Sequence, residues 1–397
     1  MKFLPKNWIL IPLGDCCQII SGSTPKRNKP EYWGGDIPWV TPKDLGKLKT
    51  PVLKDAPEKI TEAGYKSCST TLLPQGSILF SSRAPIGYVA IAGRPMCTNQ
   101  GFKSLVPNEY VHSPYLYWCM RKYASDIEAL GSGTTFKEVS KGIVERFIIP
   151  LPPLEEQRRI AAILDKADGV RRKRKEAIRL TEELLRSTFL EMFGDPVTNP
   201  KGWEIVKLGS LVVGQLNNGI FKKNHEYGGD TPVVWVKELF SGYTIDCSES
   251  RTLTPTDEEV KKFGLTKGDI LFCRSSLNRE GIGFNNVFDG MDFSALFECH
   301  IIRVSLNQRK VNSIFLNYLL RFPGLRKQII AKANTVTMST IGQSEIKKIE
   351  FYLPPKELQD KFEIFLRKIA TNRTKLENKE SENLFNSLLQ RAFRGEL

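Results

Sequence analysis

The residues able to do chemistry in this 397-residue chain are scattered, and none falls into the spacing a reaction needs. No G-x-x-x-x-G-K-[ST] phosphate loop occurs, and GSGTTF (131–136) lacks the third glycine and the preceding strand of a dinucleotide site, so it reads as a turn. The paired prolines Pro152 with Pro153 and Pro354 with Pro355 lack the preceding Asn or Asp and the following aromatic of an amino-methyltransferase motif. They read as strand terminators that set the direction of a following helix. Asp230 with Glu238 or Asp269 is a conceivable nuclease set, but no matching spacing recurs elsewhere. The 8 cysteines include no C-x-x-C pair and read as reduced, cytoplasmic thiols. A Cys/His metal site would need Cys299 or His300 to find distant partners, so His112, His225 and His300 are read as structural and no metal is expected.

Binding is better supported than catalysis. Against 44 acidic residues stand 58 basic ones, a net charge of +14, and phosphates are the partners such a surface attracts. The candidate contacts lie in loops that mix cations with amides and hydroxyls, which suits phosphate holding and base reading together. SGSTPKRNK (21–29) offers Ser23, Thr24, Lys26 and Arg27, and QLNNGIFKKN (215–224) offers Asn217, Asn218, Lys222 and Lys223. Arg83 and Arg274 each follow an ILF strand; Asn99 with Gln100, and Asn278 with Arg279, occupy comparable later positions. Thr135 and Lys137 are matched by Thr337 further on. For each of these the alternative is a solvated loop or a structural ion pair. The densest basic run, RRKRK (171–175), faces either nucleic acid or water.

The elements that must position these residues come in two copies about 200 residues apart. NWILIPLGD (7–15) returns as KGWEIVKLGS (201–210), YWGGDIPWV (32–40) as YGGDTPVVWV (227–236), and GSILFSSR (76–83) as GDILFCRS (268–275). Each copy closes alike, FIIPLPPLEEQRRI (147–160) being answered by IEFYLPPKELQDKF (349–362). Short apolar runs between Gly, Pro, Ser and Asp clusters read as strands, while SPYLYWCMR (113–121) and SIFLNYLLR (313–321) read as helices. The fold class is therefore α+β, with an internal pseudo-two-fold duplication. The expected divisions are a globular domain at 1–151, a helix at 152–195, a second globular domain at 196–353 and a helix at 354–397.

Both helical segments are rich in strong helix formers, and Gly194-Asp195-Pro196 ends the first. Ile160, Ile163, Ala167, Val170, Ala177 and Leu184 recur at 3-4 spacing, as do Phe362, Phe365, Ile369 and Leu376 in the second. Helices of about 40 residues are about 60 Å long, too long to bury a stripe on one compact domain. They are expected to pack on each other, antiparallel, with Leu154, Gln157 and Gln359 at their starts; ordinary helices folded on their own domains are the alternative. No stretch reaches the roughly 18 apolar residues of a membrane span. The N-terminal MKFLPKNWILIPL is a poor secretory signal, so no membrane and a cytoplasmic location are expected.

The two-copy plan, the G-G-D-[IT]-P and W-V motifs, the LPP-x-x-x-Q junctions, LTEELLR (180–186) and the long helices closely resemble the specificity subunit of type I restriction-modification systems. The resemblance covers essentially the whole chain. It implies a non-catalytic subunit with two target-recognition domains, each reading one half of a bipartite, asymmetric site on double-stranded DNA. It further implies helices that set the spacer and dock two modification (methyltransferase) subunits, to which two restriction (endonuclease) subunits add. S-adenosylmethionine, ATP and magnesium would belong to those partners. The second junction reads LPPKELQ, not LPPLEEQ, and its helix lacks an RRKRK run, so the two halves need not engage partners equally. An autonomous nucleic-acid-modifying enzyme and a coiled-coil scaffold without specific DNA binding are the competing readings.

Overall fold

The computed structural model describes residues 4–83, 85–133, 137–335, 339–377 and 379–397. Candidates Thr135 and Thr337 lie outside them. The chain divides into two compact units, residues 1–176 with 378–397 and residues 177–377. Each unit thus takes in one globular stretch, part of the central helix and part of the C-terminal helical segment.

In the first unit a five-stranded sheet runs in the order Cys17–Ser21, Lys103–Pro107, Ile78–Ser82, Ile86–Ala92, Val52–Leu53. A three-stranded sheet places Trp33–Val40 between Glu58–Ile60 and Cys97–Thr98. The period of two in a strand explains the ILF motif. Ile78 and Phe80 join the core formed with helix Ser113–Lys122, while Leu79 points the other way, onto Val40, Ala90 and Phe102. The second unit repeats the arrangement with a four-stranded sheet in the order Asn217–Asn218, Ile301–Val304, Ile270–Cys273, Asn285–Val287, and a three-stranded one with Thr231–Val234 at its centre. Ile270 and Phe272 face the core of helix Ser313–Leu320, and Leu271 and Cys273 pack on Val234 and Phe297.

Each globular stretch is closed by pairing its first strand with its last. Ile9–Pro12 runs antiparallel to Ile148–Leu151, with Ile9 opposite Leu151. Glu204–Lys207 pairs in the same way with Glu350–Leu353, with Glu204 opposite Leu353. The LPP junctions follow directly from these closing strands.

The central helix runs from Leu154 to Phe193 without a break, 40 residues. The C-terminal segment, expected as one helix, is two: Lys356–Leu376 in the second unit and Lys379–Ala392 in the first. Thr371 and Thr374, whose hydroxyls donate back to the carbonyls of Arg367 and Ala370, weaken the last turns before the interruption. The antiparallel expectation holds within each unit. In the first, Arg159 meets the carbonyl of Leu397 at 2.7 Å, and Arg171 stacks 4.7 Å over Phe385. In the second, Glu182 pairs with Arg373 at 2.8 Å, and Phe189 and Phe193 meet Phe362 at 5.2 and 5.7 Å.

The expected apolar stripe does not run the length of the central helix. Val170 and Leu184 are exposed, and the buried positions are Gln157, Ile160, Ala161, Leu164 and Asp168, then Leu185, Phe189 and Phe193. Each part of the helix turns its apolar residues to the core of its own unit, so one uninterrupted stripe does not form.

Candidate nucleic-acid interface

One edge of the first unit is assembled by backbone hydrogen bonds between loops distant in sequence. Ser23 N donates to Thr98 O at 3.0 Å, Asn99 N to Val40 O at 3.0 Å, Ser82 N to Gly101 O at 2.7 Å, and Val139 N to Ser82 O at 2.9 Å. Gly22 permits the approach: a Cβ there would lie 2.0 Å from Asn99 O, a distance no side chain tolerates. The ladder brings Thr24, Gln100, Arg83 and Lys137 together. Thr24 donates its hydroxyl to the Gln100 carbonyl oxygen, which aims the Gln100 amide nitrogen outward with no partner among the described residues. Arg83 makes only a loose 3.8 Å contact with Glu138, which also receives Lys103 at 3.3 Å. Lys26 and Lys137 are exposed.

Three candidates on or near this edge serve the fold instead. Arg27 holds both carboxylate oxygens of Glu58, at 2.7 and 2.9 Å, and stacks over Trp33 and Trp39 at 4.0 and 4.7 Å. The pair holds the Glu58 carboxyl below its usual range. Asn99 spends its Oδ1 on Gly101 N at 2.9 Å, forming the turn that presents Gln100. Ser23 is half-buried and its carbonyl accepts from Trp39 Nε1 at 3.0 Å.

The second unit builds the same edge with different side chains. Ile220 N donates to Phe297 O at 2.8 Å, Glu298 N to Val234 O at 3.0 Å, Arg274 N to His300 O at 2.7 Å, and Ile341 N to Arg274 O at 3.0 Å. Gly219 stands where Gly22 stood, its absent Cβ 2.1 Å from Phe297 O. These bonds fix the correspondence between copies and correct two pairings. Arg274 matches Ser82 and not Arg83, a slip of one residue that puts the two arginines on opposite faces of the strand. Asn99 and Gln100 match Glu298 and Cys299, not Asn278 and Arg279.

Arg274, Arg279 and Lys223 are exposed and their side chains have no carboxylate partner among the described residues, though Lys223 N donates to Glu226 Oε2 at 2.7 Å. Asn218 receives Gln343 at 3.4 Å, and Asn278 accepts from Glu280 N at 3.1 Å, shaping its own turn. Asn217 and Lys222 are consumed by structure. Asn217 bonds Arg303 at 3.1 Å and the Lys262 carbonyl at 3.0 Å, while Lys222 lies between Glu259 at 2.8 Å and Glu226 at 3.6 Å.

Sequence reasoning missed Glu298 and His300 at this edge. The buried Glu298 carboxylate accepts from both the backbone N and Nδ1 of His300, at 3.0 and 2.8 Å, and so fixes the exposed imidazole. Glu298, Cys299 and His300 bring three ligand-type atoms within 4.8 Å of one another, so His300 finds its neighbours beside it and not at a distance. Counting residues would not have found the match, because CTNQG (97–101) begins 19 residues after Ile78 and LFECH (296–300) begins 26 after Ile270.

The loop 275–282 is held from beneath by a buried arginine. Arg326 Nη2 donates to the carbonyls of Glu280 and Ile282 at 2.8 and 2.9 Å. Arg321 similarly takes the carbonyls of Asn285, Gly242 and Leu239 at 2.9, 2.8 and 3.3 Å, and burial pushes its guanidinium down to about 10. Both lie against Phe284, at 4.8 Å for Arg321 and 5.4 Å for Arg326.

The junction glutamines are interior. Gln157 is 1% exposed and Gln359 is 0% exposed. Gln157 accepts from His112 N at 2.8 Å and donates to Pro152 O at 2.8 Å and Tyr110 O at 2.9 Å. Gln359 accepts from Asn312 N at 2.8 Å and donates to Pro354 O at 2.7 Å. Each ties the start of the long helix to the start of the domain helix. Ile160, Phe362 and Ile369 are also buried, and Leu154, Ile163, Ala167, Phe365 and Leu376 are half-buried. Among the proposed docking positions Leu184 alone is exposed; Leu180, one turn earlier, is exposed beside it. In the RRKRK run, Arg171 and Arg172 both bind the buried Asp168 at 2.7 Å, which removes them from a freely presented basic face.

Comparison with known proteins agrees with this duplicated plan. A family model described as the type I restriction modification DNA specificity domain matches twice, over residues 5–180 and 200–385. The chain is 33% identical over 381 residues to the type I restriction enzyme MjaIX specificity subunit of Methanocaldococcus jannaschii, covering 90% of this chain and 86% of that protein. It is 24% identical over 425 residues to the StySPI specificity subunit of Salmonella potsdam, covering 99% and 90%. The crystal structure of a type I restriction-modification S subunit from M. genitalium shares the fold, with a TM-score of 0.64, 15% identity and 98% of each chain covered. With two matched domains that span most of its length, this chain belongs to the type I restriction-modification DNA specificity family.

Proposed function

We propose that the chain is the DNA-reading subunit of a type I restriction-modification complex, and that each unit's loop edge reads one half of a bipartite, asymmetric site. The observation that carries this reading is one backbone framework carrying two sets of outward side chains. Gly22 and Gly219 make the same close approach, while Thr24, Arg83 and Gln100 of the first unit give way to Phe221, Ser275 and Cys299 in the second, and Ser82 and Gly101 give way to Arg274 and His300. A shared scaffold with different donors and acceptors is what two half-sites of different sequence require.

The long helices set the spacer and dock two modification subunits, with the exposed Leu180 and Leu184 on the docking face. Two restriction subunits complete the cleaving complex. S-adenosylmethionine would be held by the modification subunits, and ATP and magnesium by the restriction subunits; this chain contributes sequence selection. The test is methyl transfer to DNA by the purified chain, by the modification subunit, and by both together. Sequence-specific transfer only in the mixture is expected, and transfer by this chain by itself would overturn the reading. Inserting one helical turn, about 5.4 Å, into the central helix should lengthen the recognised spacer while both half-sites stay the same.

A further inference from the structure

The loop between strand Ser275–Ser276 and the turn Arg279–Gly281 carries Leu277, which is 89% exposed. An aliphatic side chain that open contributes nothing to the fold of its own unit. Its backbone is nevertheless tightly held. Ser275 and Ser276 pair with Thr340 and Ser339, Gly281 N donates to Asn278 O at 2.9 Å, and Asn278 Oδ1 accepts from Glu280 N at 3.1 Å. From below, Arg326, 9% exposed, binds the Glu280 and Ile282 carbonyls. Burying a guanidinium without a carboxylate in bonding contact is costly, and here it fixes a surface loop. At Gly281 a Cβ would lie 2.7 Å from Ser276 Oγ, so the turn is closed tightly on its own strand. In the first unit Pro85 stands at the position of Leu277, in the short link between Ile78–Ser82 and Ile86–Ala92.

We propose that Leu277 is a wedge that enters the base stack of duplex DNA at the half-site read by the second unit, unstacking one base step. The proposal rests on the DNA-reading function above and adds a deformation to it. Three observations select DNA as the occupant. Leu277 is flanked by the exposed Arg274 and Arg279, which have no carboxylate partner among the described residues and suit the phosphates on either side of a parted step, with Glu280 the one acidic neighbour on the loop. The loop springs from the same strand end that carries the reading edge. Its conformation is already fixed, so insertion of the leucine sacrifices little loop entropy. Proteins that kink duplexes use leucine and other apolar side chains in this manner.

The experiment uses the full chain with its modification subunit and duplexes carrying the target mapped by methylation, with 2-aminopurine substituted in turn for each adenine of both half-sites except the methylated ones, which the modification subunit itself takes out of the stack. Binding should raise the fluorescence at one step of the second unit's half-site. Leu277→Ala should abolish that rise and weaken binding roughly tenfold or more, while Leu277→Met restores most of both. A duplex with a mismatch already opening that step should lose much less affinity to Leu277→Ala. Tight, sequence-specific binding with no fluorescence change at any step overturns the wedge and leaves the reading function standing. A Leu277→Ala chain that fails to assemble with the modification subunit, yet unstacks DNA normally when assembly is forced by concentration, assigns the leucine to a protein contact and also overturns it. If the unmodified complex selects no sequence, the reading function itself falls, and the wedge with it.

Discussion

Replacing Gln359 by leucine separates a structural role for the junction glutamine from a docking role. Leucine fits the space but neither accepts from Asn312 N nor donates to Pro354 O, the two bonds Gln359 makes at 2.8 and 2.7 Å. Both abandoned groups are buried, so water cannot replace the lost partner. Each unsatisfied buried group costs about 1–3 kcal/mol, giving about 2–6 kcal/mol for the pair. Against a typical domain stability of about 5–15 kcal/mol this is a large fraction, and for a unit of this size it corresponds to a fall in melting temperature of roughly 5–20 °C. Hydrogen exchange by mass spectrometry gives the location: protection should fall in Ser313–Leu320 and Lys356–Leu376 and stay unchanged in Ser113–Lys122. A loss below about 0.5 kcal/mol, the range of ordinary surface substitutions, together with weakened binding to the modification subunit, would refute the reasoning and return Gln359 to the docking face.

Other consequences follow from the two edges. Gly219→Ala places a methyl group 2.1 Å from Phe297 O and should displace the 217–223 loop, relaxing one half-site in methylated-DNA sequencing while the other half stays unchanged. Arg83→Ala and Arg274→Ala should each affect a different half-site, and loss of both halves by either variant would mark that arginine as purely structural. The Arg27–Glu58 pair holds the Glu58 carboxyl below its unfolded value, so its stabilisation is present above about pH 4.3 and is lost as pH falls through the lower folded value. Because both side chains are about half exposed, the effect on urea unfolding should stay below about 1 kcal/mol; Glu58→Gln should remove that acid dependence.

Much of this architecture was legible in the residues. The duplication, the alternation of ILF across the sheet and the closing of each domain at an LPP junction follow from periods of two and 3.6 and from proline's effect on the backbone. The antiparallel pairing of helices was expected from one long apolar stripe, yet it forms within each unit although no such uninterrupted stripe exists. Less legible was the division of labour along those helices. Which apolar residues face inward depends on the globular core beside them, and so Leu184 is exposed while Leu185 is buried. The interruption near Glu377 depends on several weak helix formers acting together. At the reading edge, composition alone could not separate the Arg27 fork, consumed by Glu58, from Arg274, which is free of such a partner among the described residues. The Arg83 and Arg274 mismatch arose from a single-residue slip, which in a strand changes the face. The Glu298 and His300 pair was invisible because a two-residue separation carries no signal until a turn folds it back.

In the proposed function, two copies of one framework read two different half-sites through their loop edges. Its most direct test is to map methylated adenines in cells expressing the modification subunit with a chain whose second-unit loops, 217–223, 274–282 and 298–300, come from a relative of different target sequence. The predicted motif keeps the first half-site and the spacer and changes only the second half-site. An unchanged motif, or one altered in both halves while the chain remains folded and assembled, would show that these loops do not read the second half-site.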